Sequence, residues 1–191
     1  MRYNAVDDPL CYPGTHVLRN KADIEDQAEL DEFEQLMFDS RAEEELPGGN
    51  LDFAHYCSLH RHFFQDVYEW AGEPRAIRTG KGENWFCYPE YIVPEATKLF
   101  AKLADRNSLA EANDAAEFAK EAAWFLAELN AIHTFREGNG RIQLVFLTLL
   151  TRHAGFNLNE DLLRPEHFLN AMIGSFSGNL QPLAEEIQRV L

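Results

Sequence analysis

The chain has 191 residues, 46% of them apolar, and a formal net charge of −15. That length and composition suit one globular domain with a substantial core. The acidic surplus argues against a general DNA, RNA or anionic-membrane binder, because such proteins need basic faces.

In chain order, residues 1–21 read as irregular, broken by Pro9, Pro13 and Gly14. The N-terminus lacks the apolar run of a signal peptide, and no later stretch approaches the length of a membrane span. The spacing predicts a long helix over 22–46, with Ile24, Leu30, Phe33, Leu36 and Met37 inward and its acidic residues in solvent. A second helix is predicted over 52–70, with Phe53, Tyr56, Leu59, Phe63, Val67 and Trp70 on one face. His55, His60 and His62 lie on it without ligand spacing and read as surface or satisfied core histidines. Residues 75–88 hold two short strand-like runs around Gly80-Lys81-Gly82 and read as a hairpin. Helices follow over 89–106, with Ile92, Leu99, Phe100 and Leu103 inward, and over 112–132. Beyond 141–152, Gly155 ends one helix, Pro165 starts another with Phe168, Met172 and Ile173 inward, and a last helix follows Gly178-Asn179. The three cysteines, Cys11, Cys57 and Cys87, form no metal or disulfide pattern and read as reduced thiols in a cytoplasmic protein.

The chemistry concentrates in His133-Thr134-Phe135-Arg136-Glu137-Gly138-Asn139-Gly140-Arg141, a polar loop between two apolar helical stripes. Two glycines around an asparagine let backbone N–H groups converge ahead of a helix N-terminus, which is an anion site. Arg141, in the first turn, adds a forked donor for phosphate oxygens. Glu137 is a hard oxygen ligand beside that site, suited to Mg²⁺ held jointly with substrate phosphates. His133 ends the upstream helix and suits a general base. Phe135 reads as an anchor into the core, and Arg136 as a second cation able to swing toward phosphate.

This stretch resembles the signature of Fic-domain proteins, His-x-Phe-x-(Asp/Glu)-Gly-Asn-Gly-Arg-x-x-Arg, from His133 to Arg141; Leu144 stands where the pattern has its last arginine. Asp8 to Gly14 is similar to the opening segment of many such proteins, residues 75–88 to their flap, and the helix order to their core over nearly the whole length. The resemblance implies an all-α fold: one Fic-type domain over 1–191, with a β-hairpin flap at about 75–88 and the signature loop at 133–141. It implies transfer of a nucleotide monophosphate, usually AMP from ATP, to a hydroxyl of a target protein docked along the flap. His133 would be the base and Glu137 the Mg²⁺ ligand. Gly138, Asn139, Gly140 and Arg141 would bind the nucleotide phosphates, with Lys81 and Gly82 contacting the nucleotide from the flap. The family's inhibitory pattern, (Ser/Thr)-x-x-x-Glu-(Gly/Asn), has one textual match, Thr79 to Asn84, whose two glycines make a poor helix. The chain therefore resembles toxins restrained by a separate small antitoxin. Leu144 leaves two other classes open: a catalytically weakened interaction module, and a phosphotransferase with a different donor.

Overall fold

The computed structural model describes residues 4–5, 8–81 and 84–191. Its axis is helix α4 (Ala115–Ile132). Asp114 caps it by accepting from Glu117 N at 2.8 Å. Phe118, Ala119, Ala122, Ala123, Phe125, Leu126, Leu129 and Ile132 are all buried, so α4 is apolar on most of its circumference. Around it pack α3 (Pro89–Ala104), α5 (Asn139–His153), α6 (Pro165–Ser175) and α7 (Gln181–Arg189). The α4 alanines let these neighbours approach closely. Helices α1 (Gln27–Ala42) and α2 (Phe53–Phe64) close the other side.

An aromatic cluster joins these elements beneath the polar loop. Phe100, Phe125, Phe146, Tyr56 and Phe135 pack with ring centroids 5.3–5.8 Å apart. Burying each such ring is worth roughly 1.5–3 kcal/mol, so the loop rests on a stiff floor. Three buried histidines serve that floor. His60 donates from Nε2 to Glu137 O at 3.0 Å and accepts at Nδ1 from Gly72 N at 2.9 Å. Those two bonds hold the neutral ring, and burial pushes its pKa down to about 3. His55 and His62 bond Pro47 O and Arg41 O, so all three are satisfied core histidines.

Several predicted boundaries move. Helix α1 starts at Gln27 rather than 22, because the Asn20 side chain accepts from Ala22 N and Ile24 N and makes a turn there. Asp26 then caps the helix. Helix α2 stops at Phe64 rather than 70: Val67 O accepts from Lys21 N, and Val67 N returns to Phe64 O in a tighter turn. Helix α5 starts at Asn139, inside the loop rather than after it. Leu36 and Ile173, expected inward, are exposed, since the buried stripes of α1 and α6 run through Leu30 and Glu34 and through Phe168 and Met172.

The hairpin is a small antiparallel sheet of order β1-β2-β3, with β1 Asn4–Ala5, β2 Thr79–Lys81 and β3 Asn84–Trp85. Gly80 pairs with Trp85 and Lys81 with Asn84; on the other edge Asn4 pairs with Gly80 and Ala5 with Thr79. The first strand was unexpected, since residues 1–21 read as irregular. Main-chain pairing asks little of side-chain pattern, so a two-residue strand leaves no period to detect. The fold is thus all-α with a small β flap.

Candidate active site

The loop is built by two helix ends facing each other. Helix α4 terminates at His133, which takes a left-handed conformation (φ 51°) and donates its N–H to Leu129 O at 3.0 Å. Helix α5 begins at Asn139, whose side chain bridges the loop: its Oδ1 accepts from Phe135 N at 2.9 Å and its Nδ2 donates to Phe135 O at 2.8 Å. Phe135 itself is fully buried, stacked on His60 at 3.8 Å. Gly138 has φ +81°, and a Cβ there would meet the Phe64 ring at 2.4 Å. Both facts demand glycine. Gly140 differs from expectation: its backbone is ordinary helix and a Cβ would meet nothing within 4 Å. It is exposed, so what its missing side chain leaves is open space over the helix N-terminus. The N–H groups of Asn139, Gly140 and Arg141 stand ahead of the first intrahelical bond, Ile142 N to Gly138 O at 3.1 Å. They form the positive end of the α5 dipole.

His133 is buried, and the Phe86 ring lies parallel to it at 3.7 Å. Its pKa is held well below the usual 6.5, first by burial and then by the charges of Lys81 and Arg75; a hydrogen bond with the Asn130 backbone works the other way. The imidazole is therefore neutral at neutral pH, the form that can accept a proton. Glu137 is half-buried, and its Oε1 accepts from Gly138 N at 2.9 Å. Burial raises its pKa, Glu34 adds to the rise, and Arg141 and Lys81 oppose it. Lys81, on β2, contributes its charge to both groups and lowers the pKa of each. Gly82, the other flap residue expected at the nucleotide, lies outside the described residues.

The two loop arginines part company. Arg136 is buried and bonds Asp8 Oδ2 at 2.7 Å, so it braces the N-terminal segment instead of swinging toward phosphate. Arg141 stays partly exposed, with one Nη bonded to Glu34. Leu144 is half-buried against the apolar core, one turn beyond Arg141.

Sequence reasoning missed four supports. Glu34 and Tyr68 hold Arg141 from below, with Tyr68 donating to Glu34 Oε2 at 2.5 Å. Arg75 is buried and donates to His133 O at 2.8 Å, Ile132 O at 3.2 Å, Ile77 O at 2.6 Å and Cys87 O at 2.6 Å. It ties the flap base to the end of α4. Phe86 covers the His133 ring. A signal existed for Glu34 alone: it sits four residues after Leu30, on the apolar stripe of α1, where a carboxylate needs a partner. The other three depend on contacts distant in sequence.

Residues 50–151 match the profile of the Fic/DOC family. The chain belongs to that family. It is 72% identical over all 191 residues, and over the full length of both chains, to the probable protein adenylyltransferase y4lH of Sinorhizobium fredii. It is 34% identical to the protein adenylyltransferase VbhT of Bartonella schoenbuchensis, covering all of this chain and 40% of that protein. Among solved structures, BepC of Bartonella tribocorum with bound AMPPNP superposes with a TM-score of 0.84 at 28% identity, over 95% of each chain. In this chain the flap meets the signature loop through Phe86, stacked on His133, and through Arg75, which bonds both the end of α4 and Cys87.

Proposed function

We propose that this chain is a protein adenylyltransferase, transferring AMP from ATP to a hydroxyl of a target protein. The observation that carries the reading is the gathering, in the loop that leads into the α5 N-terminus, of a buried imidazole (His133), a carboxylate (Glu137) and a partly exposed guanidinium (Arg141), with the Lys81 charge acting on the first two. The 72% identity to a probable adenylyltransferase over the full chain supports it, as does the likeness to a structure binding an ATP analogue.

In the proposed reaction the target hydroxyl oxygen bonds to the α-phosphorus of ATP. The bond from that phosphorus to the oxygen bridging to the β-phosphorus breaks, and pyrophosphate leaves with the bond's electron pair. His133 takes the hydroxyl proton as the new bond forms. The α5 N–H groups and Arg141 bind phosphate oxygens, and Lys81 acts on the nucleotide from the flap. The donor set fits Mg²⁺: Glu137 offers a hard carboxylate oxygen, anchored by Gly138 N, whose raised pKa a cation would reverse. Among the described residues no cluster of three or more metal-binding side chains forms. The remaining ligands would then be phosphate oxygens and water. When bound, Mg²⁺ would neutralise developing charge on the leaving pyrophosphate.

The whole chain, 1–191, acts as one domain in this proposal, supported by end-to-end alignment with y4lH. Restraint by a separate small antitoxin remains part of it, since the inhibitory-pattern match at 79–84 begins and ends in flap strands rather than a helix. Three free cysteines support a reducing, cytoplasmic setting. No helix among the described residues is long and apolar enough to cross a membrane. Leu144 is the observation that favours the second reading, an interaction module or a phosphotransferase with another donor.

Labelled ATP separates these. With a bacterial lysate as target source, label on the α-phosphate should become protein-bound and label on the γ-phosphate should not. The intact mass of the purified labelled protein should rise by one AMP residue. Transfer of the γ label alone would replace adenylylation by phosphotransfer, and no transfer with no ATP binding would leave the module.

A further inference from the structure

The side chain of Arg141 is placed by groups from three elements that the catalytic reading does not use. Glu34 and Phe38 lie four apart on α1; Phe64 ends α2 and Tyr68 follows in the turn beyond it. Glu34 is buried and uses both carboxylate oxygens, Oε1 toward Arg141 Nη2 and Oε2 toward the Tyr68 hydroxyl at 2.5 Å. Tyr68 is itself buried and stacked on Trp70 at 4.4 Å. The Arg141 guanidinium lies over the Phe64 ring at 4.8 Å and the Phe38 ring at 5.3 Å. One nitrogen of the fork is thus spent on Glu34, the plane is fixed by two rings, and the side chain remains 30% exposed.

We infer that Glu34, held by Tyr68, is a positioning residue that presents Arg141 to the phosphates of the nucleotide. This rests on the adenylyltransferase reading. An arginine has about 2 kcal/mol of side-chain rotamer entropy to lose on binding a ligand. Here the folded protein has already lost much of it, and a preorganised donor binds more tightly than a mobile one. A latch holding Arg141 away from phosphate is the opposite arrangement. It would need the guanidinium to leave Glu34 when ligand arrives, stranding a buried carboxylate without its cation, which is costly. The fork avoids that cost, because its other N–H groups can bind phosphate while Nη2 stays where it is.

The test is a double-mutant cycle on the full chain, read by calorimetry of ATP with Mg²⁺, with adenosine as the ligand lacking phosphate. Glu34→Ala should weaken ATP about tenfold, the scale of one well-placed charged hydrogen bond, and leave adenosine unchanged. In an Arg141→Ala background the same change should move ATP by less than about twofold, because a residue acting through Arg141 has nothing left to act on. Glu34→Gln keeps an oxygen toward Nη2 and should recover most of the affinity. Should Glu34→Ala fail to fold, Tyr68→Phe takes its place in the cycle, with an expected loss of about threefold that vanishes without Arg141. Unchanged or tighter ATP binding in Glu34→Ala, or an equal loss in both backgrounds, overturns the inference. A wild-type chain that binds no ATP overturns the adenylyltransferase reading and this inference together; a wild-type chain that binds ATP without coupling overturns the inference alone.

Discussion

Each half of the signature loop carries an arginine paired with a carboxylate from the N-terminal part of the chain, yet the two pairs have opposite settings. In the first half, the side chains of Arg136 and Asp8 are 7% and 8% exposed. In the second, Arg141 is 30% exposed above a Glu34 that is 10% exposed. The residue type is the same and the separation is five positions. A sealed ion pair braces the chain, because neither charge can be given up without stranding the other. A pair open on one side leaves donors for a ligand. In the proposed reaction the first half of the loop would supply rigidity and, through His133, a base, and the second half the anion site.

The largest expected effect breaks the chemistry in the sealed half while sparing binding in the open half. His133→Ala should lower the transfer rate by roughly 10²–10⁴, the usual worth of a general base, and leave ATP affinity nearly unchanged. Single-turnover rates and calorimetry read the two separately. The pH profile sharpens the assignment. Burial and the neighbouring cations lower the His133 pKa, so the base stays unprotonated as pH falls through the ordinary value of 6.5. Transfer should hold across that range and fall only below it. An acid limb centred at or above 6.5 would contradict the burial of the base.

The next comparison is between the arginines themselves. Arg136→Ala should cost about 3–5 kcal/mol of stability, because it leaves Asp8 buried without its cation, and ATP affinity of the folded fraction should stay within about twofold. Arg141→Ala should act on binding. It should weaken ATP by roughly tenfold to a hundredfold, the loss of one charge-assisted hydrogen bond of about 1.5–3 kcal/mol. It also takes the cation from the buried Glu34, which keeps only the Tyr68 hydroxyl, so stability falls here as well, and ATP affinity is what separates the two variants. Denaturant melts and calorimetry on both variants decide it. Equal loss of ATP affinity in the two would erase the distinction between sealed and open.

This difference shows where sequence reading reaches and where it stops. Helices α2 to α7 were legible because their buried residues recur at three and four, and Pro89, Pro165 and Gly155 mark their ends. The loop was legible as a compact run of residues with unlike chemistry. Arg136 and Arg141, though, look alike as letters. What separates them is Asp8, which is 128 positions away, and Glu34, which is 107 away. The late start of α1 and the early end of α2 were hidden for a similar reason: they are set by bonds of Asn20 and Lys21, outside the helices they limit. Gly138 and Gly140 carry the same letter, yet a ring that a Cβ would meet at 2.4 Å decides the first and open space the second.

The smallest expected effect extends the open half by one helical turn. Leu144 follows Arg141 by three positions on α5, so both project on neighbouring faces of the same helix. It is half-buried against the core, which means that an arginine there could lay its aliphatic stem along the apolar surface and carry its head outward. If terminal-phosphate contacts limit how ATP sits, Leu144→Arg should tighten ATP and speed AMP transfer by about tenfold, one charge-assisted contact's worth. ADP lacks the terminal phosphate and should gain little, which separates a specific contact from a general rise in positive potential. The variant also supplies a cation that an inhibitory glutamate on a small protein partner could engage, so its inhibition should strengthen in parallel. An equal gain for ATP and ADP would show that the added charge acts only through long-range attraction, and that position 144 does not select the donor. No gain for either would place the limit on ATP binding elsewhere, at Arg141 and its fixed geometry over Phe64 and Phe38.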